Sequence, residues 1–119
     1  MTSRRWDAVV DRVLNSTGIS EPEFYRRGRP TRKADTARKA AVYLARVELL
    51  MPRRDVAQEL GISERHVKRA CAAVEDRRDD DRGFEAWVED LAEQLRGLDL
   101  GPTARRTLPA PAFAVQQAA

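Results

Sequence analysis

The chain of 119 residues has one cysteine, Cys71, and one histidine, His66. A single thiol excludes an internal disulfide framework and a CxxC metal site, and a lone imidazole leaves little for zinc. The six glycines are scattered at positions 18, 28, 61, 83, 97 and 101, so no glycine-rich phosphate loop occurs. Aromatic residues are only 6%, so the core is expected to consist mostly of Ala, Val and Leu. The longest apolar run, Ala40 to Ala45, falls far short of the roughly 20 residues that span a bilayer. The N-terminal run Met-Thr-Ser-Arg-Arg-Trp-Asp lacks the apolar stretch of a signal peptide. The expected protein is therefore cytoplasmic, with no membrane, no metal and no cofactor. With one His, one Cys and no paired acids in an apolar setting, there is no nucleophile or acid–base constellation. No enzyme and no small-molecule substrate are expected.

What the chain has in quantity is charge. Charged residues are 34% and apolar residues 42%, which suits a folded core under a highly charged surface. The formal net charge is +3, and 19 of the 22 basic residues are Arg. Its distribution says more than its size. From Arg26 to Arg46 there are eight basic residues against one acid, Asp35; from Glu75 to Glu93 there are nine acids against three basic residues. The planar guanidinium fork suits phosphate. A basic block followed by an acidic block implies one face for a polyanion and one that avoids it.

Periodicity gives an all-α chain. Trp6, Val9, Val10, Val13 and Leu14 form one helical stripe that Thr2 or Ser3 could cap and Gly18 ends. Ser20-Glu21-Pro22-Glu23 is a capping-box pattern with Pro in the first turn, opening a short helix that carries Phe24 and Tyr25. The stretch Arg26 to Lys33 reads as a basic loop. Asp35 or Thr36 then caps a long helix to about Leu50, with Ala37, Ala40, Ala41, Leu44 and Val47 on its apolar face, and Pro52 punctuates.

Residues 53 to 76 carry the most specific pattern, that of a helix-turn-helix. Val56 and Leu60 face the core one turn apart, and Ala57 is small where a second helix crosses. Gly61 can take the left-handed conformation, Ile62 plugs the turn, Ser63 caps, and Val67 and Ala70 pin the second helix. Glu64, Arg65, His66, Lys68 and Arg69 are left around its exposed part, with side chains that reach base edges and phosphates. Glu64 could accept from a cytosine amino group or simply serve the helix start. A charged stretch, Asp76 to Gly83, precedes a last amphipathic helix with Phe84, Trp87, Val88, Leu91 and Leu95 inside and an acidic outer face. Cys71, Trp6, Tyr43, Phe84 and Trp87 are expected in the core, with a partner contact as the alternative for the Trp on the final helix.

The order of these parts resembles the C-terminal DNA-binding domain of the bacterial replication initiator DnaA, over residues 5 to 97. Arg38-Lys39-Ala40-Ala41-Val42-Tyr43-Leu44-Ala45-Arg46 looks like that family's long-helix motif. Val67 to Glu75 looks like the end of its recognition helix, and Arg29 to Lys33 like its loop that contacts phosphates and the minor groove. The family's Gly-Arg-Asp-His-Thr-Thr run is replaced by Gly61-Ile62-Ser63-Glu64-Arg65-His66. The resemblance therefore implies duplex DNA binding, but not the initiator's own target sequence. The ATPase module is not among these residues. Free-standing domains of this type occur in small regulators, including activators of gene-transfer-agent clusters that act with a partner protein and RNA polymerase.

The expectations are these. The fold is a five- or six-helix domain over residues 1–97 with a central helix-turn-helix, and 98–119 is a Pro/Ala-rich tail, flexible or ordered by a partner. The function is that of a sequence-specific DNA-binding transcription regulator, nucleoid-associated. Its recognition helix, about 64–75, lies in the major groove; Glu64, Arg65, His66, Lys68 and Arg69 read bases. Arg26, Arg27, Arg29, Arg32, Lys33, Arg38, Lys39, Arg53 and Arg54 contact the DNA backbone. Arg46 either joins them or pairs with the acidic end. Glu85, Glu89, Asp90, Leu108 and Phe113 contact RNA polymerase or a second regulatory protein. The competing expectations are a helix-turn-helix adaptor for proteins, without specific DNA binding, and a replication-associated accessory factor.

Overall fold

A computed structural model describes residues 3–98, and these form six α-helices. They are α1 (Arg4–Thr17), α2 (Glu21–Tyr25), α3 (Arg32–Val47), α4 (Arg53–Leu60), α5 (Glu64–Asp80) and α6 (Arg82–Arg96). The fold is all-α, as the periodicity requires, and no strand occurs among the described residues. None of the helices is long and apolar enough to cross a membrane.

Local chemistry starts and stops most of these helices. Ser3 Oγ accepts from the Trp6 N–H, Ser20 Oγ from Glu23 and Ser63 Oγ from His66. Each such cap is worth about 1 kcal/mol against alanine. Gly18 ends α1 at φ 77° and Gly61 ends α4 at φ 72°, the left-handed region where a Cβ is unfavourable.

The long helix begins earlier than its sequence suggests. Thr31, not Asp35 or Thr36, is the cap, with its hydroxyl accepting from Ala34 N–H. Arg32 and Lys33 therefore occupy the first helical turn, and the basic loop shrinks to 26–30. The reason is packing: Ala34 and Ala37 are both fully buried, so the core-facing stripe starts at Ala34. At the other end α3 stops at Val47, which is 45% exposed; its last turn outruns the core.

α3 is the central element, packed against α1, α5, α2 and α4. Residues 40–45 are buried on every side, as expected of a helix apolar all round. Its alanines let neighbouring helix backbones come close. α1 contributes Trp6, Val9, Val10 and Val13, and α6 contributes Phe84, Val88, Leu91 and Leu95. No charged side chain is fully buried among the described residues.

α5 continues four residues past the expected helix-turn-helix, to Asp80. A single non-helical residue, Asp81, then closes α5 and caps α6 by accepting from Phe84 N–H at 3.0 Å. The predicted linker is thus mostly helix. The acidic face of α6 is engaged within the molecule. Arg78 of α5 donates to both oxygens of Glu85 and to Glu89, and Arg96 pairs with Glu48, Glu89 and Glu93. These pairs tie α6 to α5 and to the end of α3.

Candidate nucleic-acid interface

The turn between α4 and α5 follows the pattern read from the sequence. Val56 and Ala57 are buried on α4, and Gly61 N–H and Ile62 N–H both reach the Ala57 carbonyl, at 2.8 and 3.0 Å. Ile62 packs partly buried against the core. Val67, Ala70 and Val74 face inward from α5. At 100° per residue the remaining positions of its first two turns must point away from the core. Glu64, Arg65, His66, Lys68 and Arg69 are all exposed. His66 is also oriented: its Nδ1 lies 2.9 Å from the cap hydroxyl of Ser63, which leaves Nε2 outward.

The basic loop is beside this helix. A groove of about 540 Å³ runs between Pro30, Arg38 and Lys39 on one wall and His66 and Arg69 on the other. A second depression, of about 460 Å³, has Arg26, Arg27 and Gly28 on one side and the helix-turn-helix turn, Gly61 and Ile62, on the other. The loop, the first half of α3 and the start of α5 therefore share one side of the molecule. Arg32 lies further along, near Lys39 and Arg77.

Arg53 belongs to α4. It is half-buried at the start of α4, where its charge reaches the half-buried Cys71 thiol. Burial is the larger influence on that thiol and pushes its pKa up. Arg54 is exposed beside Arg53.

Among the described residues, Arg26, Arg27, Arg29, Arg32, Lys33, Arg65, Lys68 and Arg69 have no carboxylate partner, whereas Arg77, Arg78 and Arg96 all do. Two residues expected on phosphates have other engagements. Lys39 pairs with Asp35 at 2.9 Å, an exposed (i, i+4) contact that a phosphate could displace at little cost. Arg38 donates to main-chain carbonyls of Phe24 and Arg26. Arg46 neither faces the groove nor joins the acidic end; it donates to Met51 O at 2.7 Å and holds the α3–α4 turn.

At the acidic end, Glu85 and Glu89 are committed to Arg78 and Arg96, which leaves them less free for a partner than their sequence suggests. Asp90 is exposed and accepts from Gln94 Nε2. Leu108 and Phe113 lie outside the described residues. Among the described residues, no three of His, Cys, Asp and Glu are grouped so as to hold a metal ion. What the sequence reading missed is the second tier of the site: the Ser63–His66 contact, the Thr31–Glu23 contact and the task of Arg38. Only the cap position at Ser63 gave any local sign of these.

Compared with models of known families, with curated proteins and with solved structures, the chain matches none.

Proposed function

We propose that the protein is a sequence-specific double-stranded DNA-binding regulator of transcription. α5 enters the major groove by its N-terminal half, and the 26–30 loop and the first turn of α3 rest on the adjoining backbone or minor groove. One observation carries this reading: Arg26, Arg27, Arg29, Arg65, Lys68 and Arg69, around the exposed start of α5, have no carboxylate partners among the described residues, while Arg77, Arg78 and Arg96 are paired with acids. Unpaired arginines held close together repel one another, and a polyanion removes that repulsion while releasing its own counterions.

The division of labour follows from reach. Arg65, Lys68 and Arg69 project from a rigid helix and can address base edges, with Glu64 and His66 beside them. Arg26, Arg27, Arg29, Arg32 and Lys33 supply sequence-independent contacts that set the register. Arg53 and Arg54, at the start of α4, supply the same. The acidic second half of α5, with Glu75, Asp76, Asp79 and Asp80 exposed, keeps the remainder of the helix off the phosphates.

The test is selection of duplexes from fragmented genomic DNA, with and without RNA polymerase. A regulator enriches a common site, and a site enriched only with polymerase present marks action through that enzyme. A selection that returns no shared sequence in either arm, with the folded protein, refutes the reading.

A further inference from the structure

Resting on the reading of this face as a DNA interface, we propose that Arg38 is a positioning residue that presents the basic loop, and not itself a contact to DNA. Its Nε donates to the Phe24 carbonyl at 2.6 Å and its Nη2 to the Arg26 carbonyl at 2.5 Å. α2 has only five residues, so its last carbonyls have no partners within the helix. The guanidinium supplies them from the second turn of α3, and by doing so fixes the direction in which the chain leaves α2.

The loop's other end is also fastened. The Thr31 hydroxyl, while capping α3, donates to Glu23 Oε2 at 3.2 Å. Residues 26–30 are thus strung between two anchors, both of which join α2 to α3. Gly28, at φ 90°, turns the chain between them. Arg26, Arg27 and Arg29 remain exposed and without carboxylate partners. Three like charges on five residues favour a splayed, mobile loop. Two fastened ends hold them beside the groove, so that less ordering remains to be done on binding.

Arginine is specific to this task. Two of its donors, rigidly spaced in one plane, satisfy two carbonyls at once; the lysine ammonium is a single point on a flexible stem. Lysine would nevertheless serve as well for a simple phosphate contact. Arg38→Lys therefore separates the two roles.

Two measurements on the whole chain test this. The first, without DNA, is the rate at which trypsin nicks the folded protein after Arg26 and Arg27. The second is the slope of log affinity against log salt for a selected duplex. We expect Arg38→Lys to be nicked about tenfold faster with a nearly unchanged melting temperature. We expect its salt slope to fall by roughly two or more, the loss of several contacts at about 0.9 each, although no charge has been removed. Parent-like nicking, or a parent-like slope in Arg38→Lys, overturns the proposal. Accelerated nicking together with a parent protein that binds no duplex overturns the DNA reading alone and leaves the loop-anchoring role standing. Should Arg38→Lys melt too low for clean nicking, Glu23→Ala releases only the far anchor. Removing that negative charge should tighten DNA binding if charge alone matters; weaker binding supports the anchored loop, and tighter binding overturns it.

Discussion

The Arg78 guanidinium lies over the ring of Tyr43, 5.6 Å from its centroid, and its Nη1 donates to the Tyr43 hydroxyl at 2.8 Å. The two residues are 35 positions apart, on α5 and on the central helix. The same guanidinium grips Glu85 and Glu89 of α6, so one half-buried side chain joins three helices. Tyr43→Phe keeps the ring and removes one acceptor. It is expected to cost about 1 kcal/mol. Arg78→Ala removes the whole junction, including the packing on the ring, and is expected to cost about 2 kcal/mol. Thermal melts should show a fall of roughly 4–8 °C per kcal/mol in a domain of this size. Equal melting of Tyr43→Phe and parent protein would show that the hydroxyl contact contributes nothing.

The same junction sets a pH dependence. The hydrogen bond from Arg78 holds the Glu85 carboxyl below the ordinary 4.5 of a glutamate, against a smaller opposing effect of desolvation. Asp81 is held below 3.8, first by the Phe84 N–H that it caps and then by Arg77. A carboxyl whose folded pKa is depressed binds its proton less readily in the folded state than in the unfolded state. Its contribution is fully present above the unfolded value and is lost as pH falls through the folded one. Stability should therefore decline as the solution is acidified below about pH 4.5. Glu85→Gln should start less stable at neutral pH and lose less on acidification, so that its curve approaches the parent's. Parallel curves in denaturant titrations from neutral pH to about pH 3 would remove Glu85 from the account.

The helices themselves were largely legible because their signals are local. Ser3, Ser20 and Ser63 each stand three residues before the N–H they receive, and Gly18 and Gly61 stand where a left-handed residue is needed. The exposed set on α5 also follows from one helix's periodicity. Legibility fails where a choice is made by distant residues. Thr31 and Asp35 are both good caps, and only the burial of Ala34 against other helices decides between them. Arg38 reads as one more cation of a basic block until the α2 carbonyls are placed against it. Glu48 meets Arg96 across 48 residues, a pairing for which neither residue's neighbourhood holds a sign.

Two glycines near helix ends should respond oppositely to alanine. Gly61 is at φ 72° with no atom within 4 Å of an added Cβ, so the cost there is conformational alone, about 1–2 kcal/mol. Gly97 is right-handed, at φ −79°, and an added Cβ would make an ordinary 3.6 Å contact with the Gln94 carbonyl. Alanine there removes freedom only from the unfolded chain and should stabilise by about 0.4–1 kcal/mol. Gly61→Ala should therefore melt lower than the parent and Gly97→Ala higher. The same sign for both would mean that backbone conformation is not what distinguishes them.

The two sets of free cations should fail in different ways when neutralised. Arg65 projects from a capped helix, Ser63 to His66, whose backbone is fixed before DNA arrives. On the proposed reading, a side chain so placed meets the same base in every complex. Arg65→Ala should therefore cost about 1–3 kcal/mol on the preferred site and much less on unrelated duplexes, flattening selectivity at one position. Arg27 extends from the 26–30 loop beside the helix-turn-helix turn, and on the proposed reading it addresses charge common to all sequences. Arg27→Ala should weaken every duplex by a similar factor and reduce the salt slope by about 0.9. Competition titrations against a selected and a scrambled duplex at several salt concentrations resolve both quantities for each variant. If Arg27→Ala altered the preferred sequence while Arg65→Ala lowered all affinities alike, base reading would belong to the loop, and α5 would be the element that merely rests on the backbone.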